Sequence, residues 1–137
     1  MKRPFLLDTN ACIWWIAGEL AGDAESVLAE AYRAGLPTFV SPITALEVAT
    51  LVRKRRFRSN MPPRLWFDTL MTKPGLKLAP MPPELLIESQ LLPGEIPSDP
   101  ADRIIAATAR EYGYTVMTRD RALLDYGAQG YLSVLEC

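Results

Sequence analysis

The sequence predicts an α/β domain built on a central, mostly parallel sheet of four to five strands. Three observations carry this. Short apolar runs suited to buried strands alternate with helical patterns, the signature of strand–helix units feeding a parallel sheet. Gly35, Gly75 and Gly113 each follow a helical pattern, where a helix C-terminus favours glycine. Two apolar runs, Phe5-Leu6-Leu7 and Thr115-Val116-Met117, lead into aspartates, Asp8 and Asp120. Open parallel sheets place their ligands just beyond the strand C-termini.

In chain order, residues 4–8 read as the first strand, and helical patterns follow at 11–17 and 23–34. A second strand at 38–41 leads into helices at 43–55 and 63–71. The third strand spans 76–79, with a helix at 83–90. Prolines cluster at 80–83 and from Pro93 to Pro100, marking loops. The next helix, 100–112, has a clear start: Asp99 suits the N-cap and Pro100 the first helical position. Ala101, Ile104, Ile105, Thr108, Ala109 and Tyr112 then fall on one helical stripe. A strand at 115–118, a short helix at 121–126 and a strand at 132–135 complete the reading.

The 137 residues match the commonest size of a single domain, and no linker or low-complexity tract divides residues 1–137. Apolar residues make up 49%, enough for a real core. Net charge is −1, from 15 basic and 16 acidic residues, which decides nothing about a nucleic-acid partner. Cys12 and Cys137 lack metal-site spacing and suggest no disulfide framework; a reducing, cytoplasmic setting is expected. The basic start Met1-Lys2-Arg3 turns apolar too briefly for a signal peptide, and no run approaches a membrane span.

The chain has no histidine. That excludes Ser-His-Asp hydrolysis, histidine acid–base cleavage of RNA and histidine-ligated zinc. Carboxylates, alone or with a metal, remain. Four acids stand out: Asp8, Glu47, Asp102 and Asp120. Capping is an ordinary explanation for Asp8 and Asp120, and an acid in the first helical turn is an ordinary explanation for Asp102. Glu47 lies in a helix apolar nearly all round, which reads as buried, and a buried carboxylate needs a partner, a proton or a metal. Pairing with Lys54 or an arginine is the plain alternative.

Jointly the acids say more. The exits of the strands at 4–8 and 115–118 would share one sheet edge, and the helix starting at Pro100 would begin there too. Converging carboxylates repel one another unless a cation compensates. All-oxygen ligands favour Mg²⁺ or Mn²⁺, and such a site suits phosphodiester hydrolysis. Arg53 to Arg58 carries five basic residues in six: a solvated helix end, or a phosphate-binding rim. Thr9, Asn10 and Thr118 suit either turn and cap roles or orientation of a water. Arg103 suits pairing with an acid or a phosphate. Trp14-Trp15 suits core or a protein surface, and Cys12 a small buried apolar site.

The chain resembles PIN-domain ribonucleases, and among them the VapC-type toxins of toxin–antitoxin pairs. The resemblance rests on Phe5-Leu6-Leu7-Asp8-Thr9-Asn10 followed by Ile13-Trp14-Trp15; on Ser41-Pro42 through Leu46-Glu47; on Asp99-Pro100-Ala101-Asp102-Arg103-Ile104-Ile105-Ala106-Ala107-Thr108-Ala109; and on Val116-Met117-Thr118-Arg119-Asp120. It implies a three-layer α/β/α sandwich and Mg²⁺- or Mn²⁺-dependent endoribonuclease activity. It also implies a catalytic set of Asp8, Glu47, Asp102 and Asp120, with Asp8, Asp102 and Asp120 as metal ligands. An RNA substrate, a cognate antitoxin and a homodimer are implied as well. Two other readings remain: a non-catalytic RNA- or protein-binding module on this fold, and a haloacid-dehalogenase-type phosphatase. The latter needs a second aspartate two residues after Asp8, where this chain has Asn10.

Overall fold

The computed structural model describes residues 2–137; Met1, at the tip of the basic N-terminal stretch, lies outside the described residues. Within the described residues, five parallel strands form one sheet: β1 (Phe5–Leu7), β2 (Thr38–Val40), β3 (Leu76–Leu78), β4 (Thr115–Thr118) and β5 (Val134–Glu136). Their order is β3-β2-β1-β4-β5. The chain therefore builds outward from β1 to one side, returns, and builds outward from β4 to the other. The β1–β4 boundary is where the winding reverses, the place at which an open α/β sheet leaves a crevice beyond its strand ends.

Among the described residues, seven helices flank the sheet: α1 (Thr9–Ala17), α2 (Ala24–Arg33), α3 (Ile43–Arg53), α4 (Pro63–Leu70), α5 (Pro83–Glu88), α6 (Pro100–Tyr112) and α7 (Arg121–Ala128). Successive strand residues point to opposite faces, so neighbours divide between two cores. Leu7, Val40 and Met117 pack with Ala11, Cys12, Trp15, Leu28, Val48, Trp66 and Leu70 from α1 to α4. Leu6, Val116 and the partly buried Phe39 pack with Ile105, Ala106, Ala109, Leu123 and Tyr126 from α6 and α7. Helix, sheet and helix form the three layers expected.

The predicted elements are all present, with shifted ends. α1 starts two residues early because Asp8 caps it: Asp8 Oδ1 accepts from the Ala11 N–H at 2.8 Å. β5 starts at Val134 rather than 132, since Leu132 turns into the second core instead of pairing. Gly35 closes α2 and Gly113 caps α6, with φ of 79° and 75°, the helix-end role foreseen for them. Gly75, with φ of 75°, instead turns the chain into β3, because α4 already ends at Leu70 with Met71 as its cap. α3 departs most from expectation. Its apolar composition suggested burial all round, yet Ala45 and Ala49 are exposed and Leu46 is 62% exposed. Only Thr44 and Val48 are fully inside, so Glu47 lies at the rim of the fold rather than in its core.

Candidate active site

The site grows out of the β1–β4 boundary. The Asp8 N–H bonds to the Met117 carbonyl at 3.3 Å, extending the parallel pairing one residue past β1. Asp8 is thus fixed at the strand exit, and only 4% of it is exposed. Its Oδ1 is held by the α1 N-terminus and its Oδ2 accepts the Thr118 hydroxyl proton. Each oxygen keeps a free lone pair. Thr118 Oγ1 in turn accepts from the Asp120 N–H at 2.9 Å. Asp120 caps α7, its Oδ1 accepting from the Leu123 N–H at 3.2 Å. The capping roles of Asp8 and Asp120 are real, and they orient both carboxylates over one crevice.

Glu47 comes from α3. Its Oε1 accepts the Thr9 hydroxyl, and Thr9 Oγ1 lies 3.0 Å from the Thr44 hydroxyl oxygen. Thr44 is fully buried, so this chain of hydroxyls sets the Glu47 side chain from below. The alternative of a Glu47–Lys54 or Glu47–arginine ion pair is not realised: among the described residues the ion pairs are Arg58–Glu19 and Arg121–Asp125. α6 brings Asp99 and Asp102. Asp99 Oδ1 accepts from the Ala101 N–H at 2.9 Å as the N-cap, and Asp102 stands in the first turn.

Asp8, Thr9, Asn10, Glu47, Asp99, Asp102 and Asp120 line one cavity of about 420 Å³. Burial pushes the Asp8, Glu47 and Asp102 carboxyls above their usual range. For Asp102 the value reaches about 7, with the charges of Asp120, Asp99, Asp8 and Glu47 adding to desolvation. The Thr118 hydrogen bond and the Ala11 N–H work against the rise at Asp8, as the Thr9 hydroxyl does at Glu47. No cation offsets the shift at Glu47 or Asp102. The cavity is therefore an oxygen-rich, negatively charged pocket that gains from any bound positive charge. Among the described residues, no three acids or cysteines close on a common point as they stand. That suits an ion taking one or two carboxylates directly and completing its shell with water and substrate oxygen, as Mg²⁺ does.

A PIN domain model matches residues 5–129, a span that contains every acid of the cavity. The chain belongs to the PIN-domain family. This PIN domain is 31% identical over 120 residues to ribonuclease VapC22 of Mycobacterium tuberculosis, covering 86% of this chain and 88% of the relative. It is a VapC-type PIN domain. Its fold superposes on VapBC2 from Rickettsia felis, solved bound to a promoter DNA fragment, with a TM-score of 0.72. That match has 16% identity and covers 96% of this chain and 97% of the other. FitAcB from Neisseria gonorrhoeae matches with a TM-score of 0.53 and 19% identity, over 96% of each chain.

Asp99 and Thr44 are the lining and supporting residues that sequence reasoning missed. Capping accounted for Asp99 completely on paper, but the cap uses Oδ1 alone and the residue still faces the cavity. Thr44 precedes Glu47 by one helical turn, and that i, i+3 spacing was the available signal. Arg103 departs from expectation. It donates to the Pro97 carbonyl at 2.7 Å, the Ser98 carbonyl at 2.5 Å and Gln90 Oε1 at 3.2 Å, clasping the loop before α6 rather than an acid. Trp14 carries the Arg119 guanidinium 3.5 Å above its ring, while Trp15 is buried. Cys12 is buried as expected, and burial raises its thiol pKa, an inert setting.

Proposed function

We propose that this chain, taken as one PIN-like domain over residues 1–137, is a Mg²⁺- or Mn²⁺-dependent endoribonuclease. In this reading it is the toxin of a toxin–antitoxin pair. The observation that carries the reading is the convergence of Asp8, Glu47, Asp102 and Asp120 on one cavity at the β1–β4 boundary, with no paired cation among the described residues. Kinship with a ribonuclease of the VapC type points to RNA. The antitoxin complexes among its structural neighbours point to a protein partner. A homodimer and a cytoplasmic location belong to the same reading; no described helix is long and apolar enough to cross a membrane.

Asp8, Asp102 and Asp120 would hold the metal, one or two of them directly and the rest through its waters. When bound, the metal supplies positive charge that acidifies a water and offsets the charge developing on the phosphodiester. The chain's own residues do the positioning. Thr118 and the start of α1 fix both oxygens of Asp8. Thr9 and Thr44 set Glu47 facing the cavity, where a carboxylate of raised pKa is suited to receiving a proton from water. Asn10 lines the same wall with a neutral amide that adds no repulsion.

The test is cleavage of a broad RNA panel by purified, antitoxin-free protein with Mn²⁺, Mg²⁺ or a chelator. Metal-dependent cuts that vanish with Asp8→Asn support the reading. Intact RNA in the presence of folded, metal-binding wild type sinks it. The separation of the carboxylates as they stand is the one observation favouring a non-catalytic binding module. RNA binding unchanged after all four acids are neutralised would select that alternative.

A further inference from the structure

The cavity has a second wall of opposite sign. Lys54 and Arg56 line it together with Thr50 and Leu51, facing the five acids. Neither forms an ion pair among the described residues. Cations that share a cavity with carboxylates yet stand off from them leave room for a charged body between. A solvated helix end does not require this arrangement, because alternate residues of the run would then be equivalent. They are not. Arg58 reaches Glu19 at 3.5 Å, away from the cavity, and Arg53 and Arg55 do not line it.

The backbone makes the selection. Arg55 has φ of 57°, the one non-glycine residue among those described with a left-handed backbone. The Arg55 N–H bonds to the Val52 carbonyl at 3.0 Å and the Arg56 N–H to the Leu51 carbonyl at 2.8 Å. This is the paired-bond helix ending that normally takes glycine at the left-handed position. Here an arginine tolerates the strain, and the reversal brings Arg56 back over Leu51 to the cavity beside Lys54. Arg56 also lines the adjoining groove of Ile13, Trp14, Phe57 and Trp66. It therefore stands where the acidic cavity opens into that groove.

We infer that Lys54 and Arg56 form a phosphate clamp, which holds a backbone phosphate of single-stranded RNA beside the acids and sets the direction in which the strand leaves the site. The inference rests on the RNA reading above. A strand crossing the cavity carries one phosphate to the acids and their metal, and the next needs a cation that is not already neutralised. Lys54 supplies a point charge and Arg56 a planar fork at the exit.

The test uses the full chain, with Lys54→Gln/Arg56→Gln against Arg53→Gln/Arg55→Gln as a control of equal charge change. Both are checked for unaltered thermal unfolding. The probe is a single-stranded RNA kept intact by chelator, which withholds the metal that cleavage needs, bound at 50 to 200 mM salt and followed by fluorescence anisotropy. Each neutralised phosphate contributes about 0.7 to the slope of log affinity against log salt, so the clamp variant, which releases one phosphate, should lose about 0.7. The control should keep the wild-type slope. With metal present, KM should rise about tenfold or more while kcat stays within about twofold, as for lost uniform binding.

Equal losses in both variants would mark a diffuse charge effect and overturn the clamp, as would an unchanged slope in the clamp variant. An equal loss of polyglutamate binding would assign the pair to acidic protein segments and also overturn it. The two readings separate cleanly. Metal-dependent cleavage with an unchanged slope removes the clamp alone. A selective slope change in a protein that cuts no RNA keeps the clamp and removes the nuclease.

Discussion

Thr118 and Asp8 are joined by a hydroxyl–carboxylate hydrogen bond between residues 110 positions apart in the chain. The same hydroxyl oxygen accepts the Asp120 N–H. One fully buried side chain thereby fixes the two strand-end aspartates relative to each other.

Thr118→Val keeps the shape and removes the hydroxyl. Asp8 loses the hydrogen bond that favours its ionised form, and the Asp120 N–H loses its acceptor. Stability should fall by about 1–3 kcal/mol, the cost of leaving buried polar groups unpaired. Mn²⁺ affinity or cleavage should fall about 10–100-fold, as for lost support of a metal ligand. The acid limb of the pH–rate profile should move to higher pH, because the removed bond lowers the Asp8 pKa. Serine at 118 should restore most of each effect; a valine variant with wild-type metal affinity would refute the role.

Asp8→Asn separates capping from charge. The amide oxygen still accepts from the Ala11 N–H, so α1 keeps its start and the protein should melt near wild type. RNA cleavage should drop on the order of 10²-fold or more, the scale of losing a preorganised electrostatic group. Asp8→Ala should add about 1 kcal/mol of destabilisation through the lost cap. Comparable cleavage by Asp8→Asn and wild type would reduce Asp8 to a structural cap.

Asp102 makes the metal-free protein pH-sensitive. Its carboxyl is raised to about 7 from an ordinary 3.8, so the native state holds this proton more tightly than the unfolded chain. Wherever the native state binds more protons, stability falls as pH rises. The contribution is fully present below about pH 3.8 and is lost by the time pH passes about 7. Chelated protein should melt lower at pH 8 than at pH 5. Asp102→Asn should flatten that slope and raise the melting temperature at pH 8, while removing cleavage. Saturating Mn²⁺ should stabilise wild type at pH 8, since it binds only the assembled site. Thermal scans across this range with and without chelator decide the matter.

Arg103 acts at one remove from the acids. Its guanidinium holds the carbonyls of Pro97 and Ser98, the two residues immediately before Asp99. Arg103→Gln should cost about 2–3 kcal/mol, the scale of charged hydrogen bonds lost to fixed acceptors. Amide exchange should quicken over residues 93–99 specifically, and lysine should rescue little because it lacks the planar fork. Exchange that rises uniformly across the chain would point to global loosening instead.

Much of this was legible in the sequence where local chemistry dictates structure. Asp99-Pro100 fixed the first residue of α6, and Gly35 and Gly113 marked helix ends whose left-handed φ they adopt. The acids Asp8, Glu47, Asp102 and Asp120 were found as a set, although the Asp8–Thr118 bond depends on β1 pairing with β4, which no local pattern encodes. Glu47 was singled out for a mistaken reason. Helical periodicity reports which residues are apolar, not which face has a neighbour, and the Leu46 face has none among the described residues. Asp99 was hidden because one oxygen of a carboxylate can cap a helix while the residue lines a cavity. In the basic run, charge was visible but the turn at Arg55 was not, since nothing in an arginine announces a positive φ.

The strand order has a consequence for synthesis. β1 emerges first, yet its neighbour β4 is made last among the strands that build the site. Asp8 therefore waits through more than a hundred residues for Thr118 and Asp120. During that interval α1, α2 and β2 can assemble around β1, but the crevice lacks one side. Translation itself becomes a timer: under the proposed nuclease reading, the site stays incomplete while its own message is still being read through the codon for residue 120.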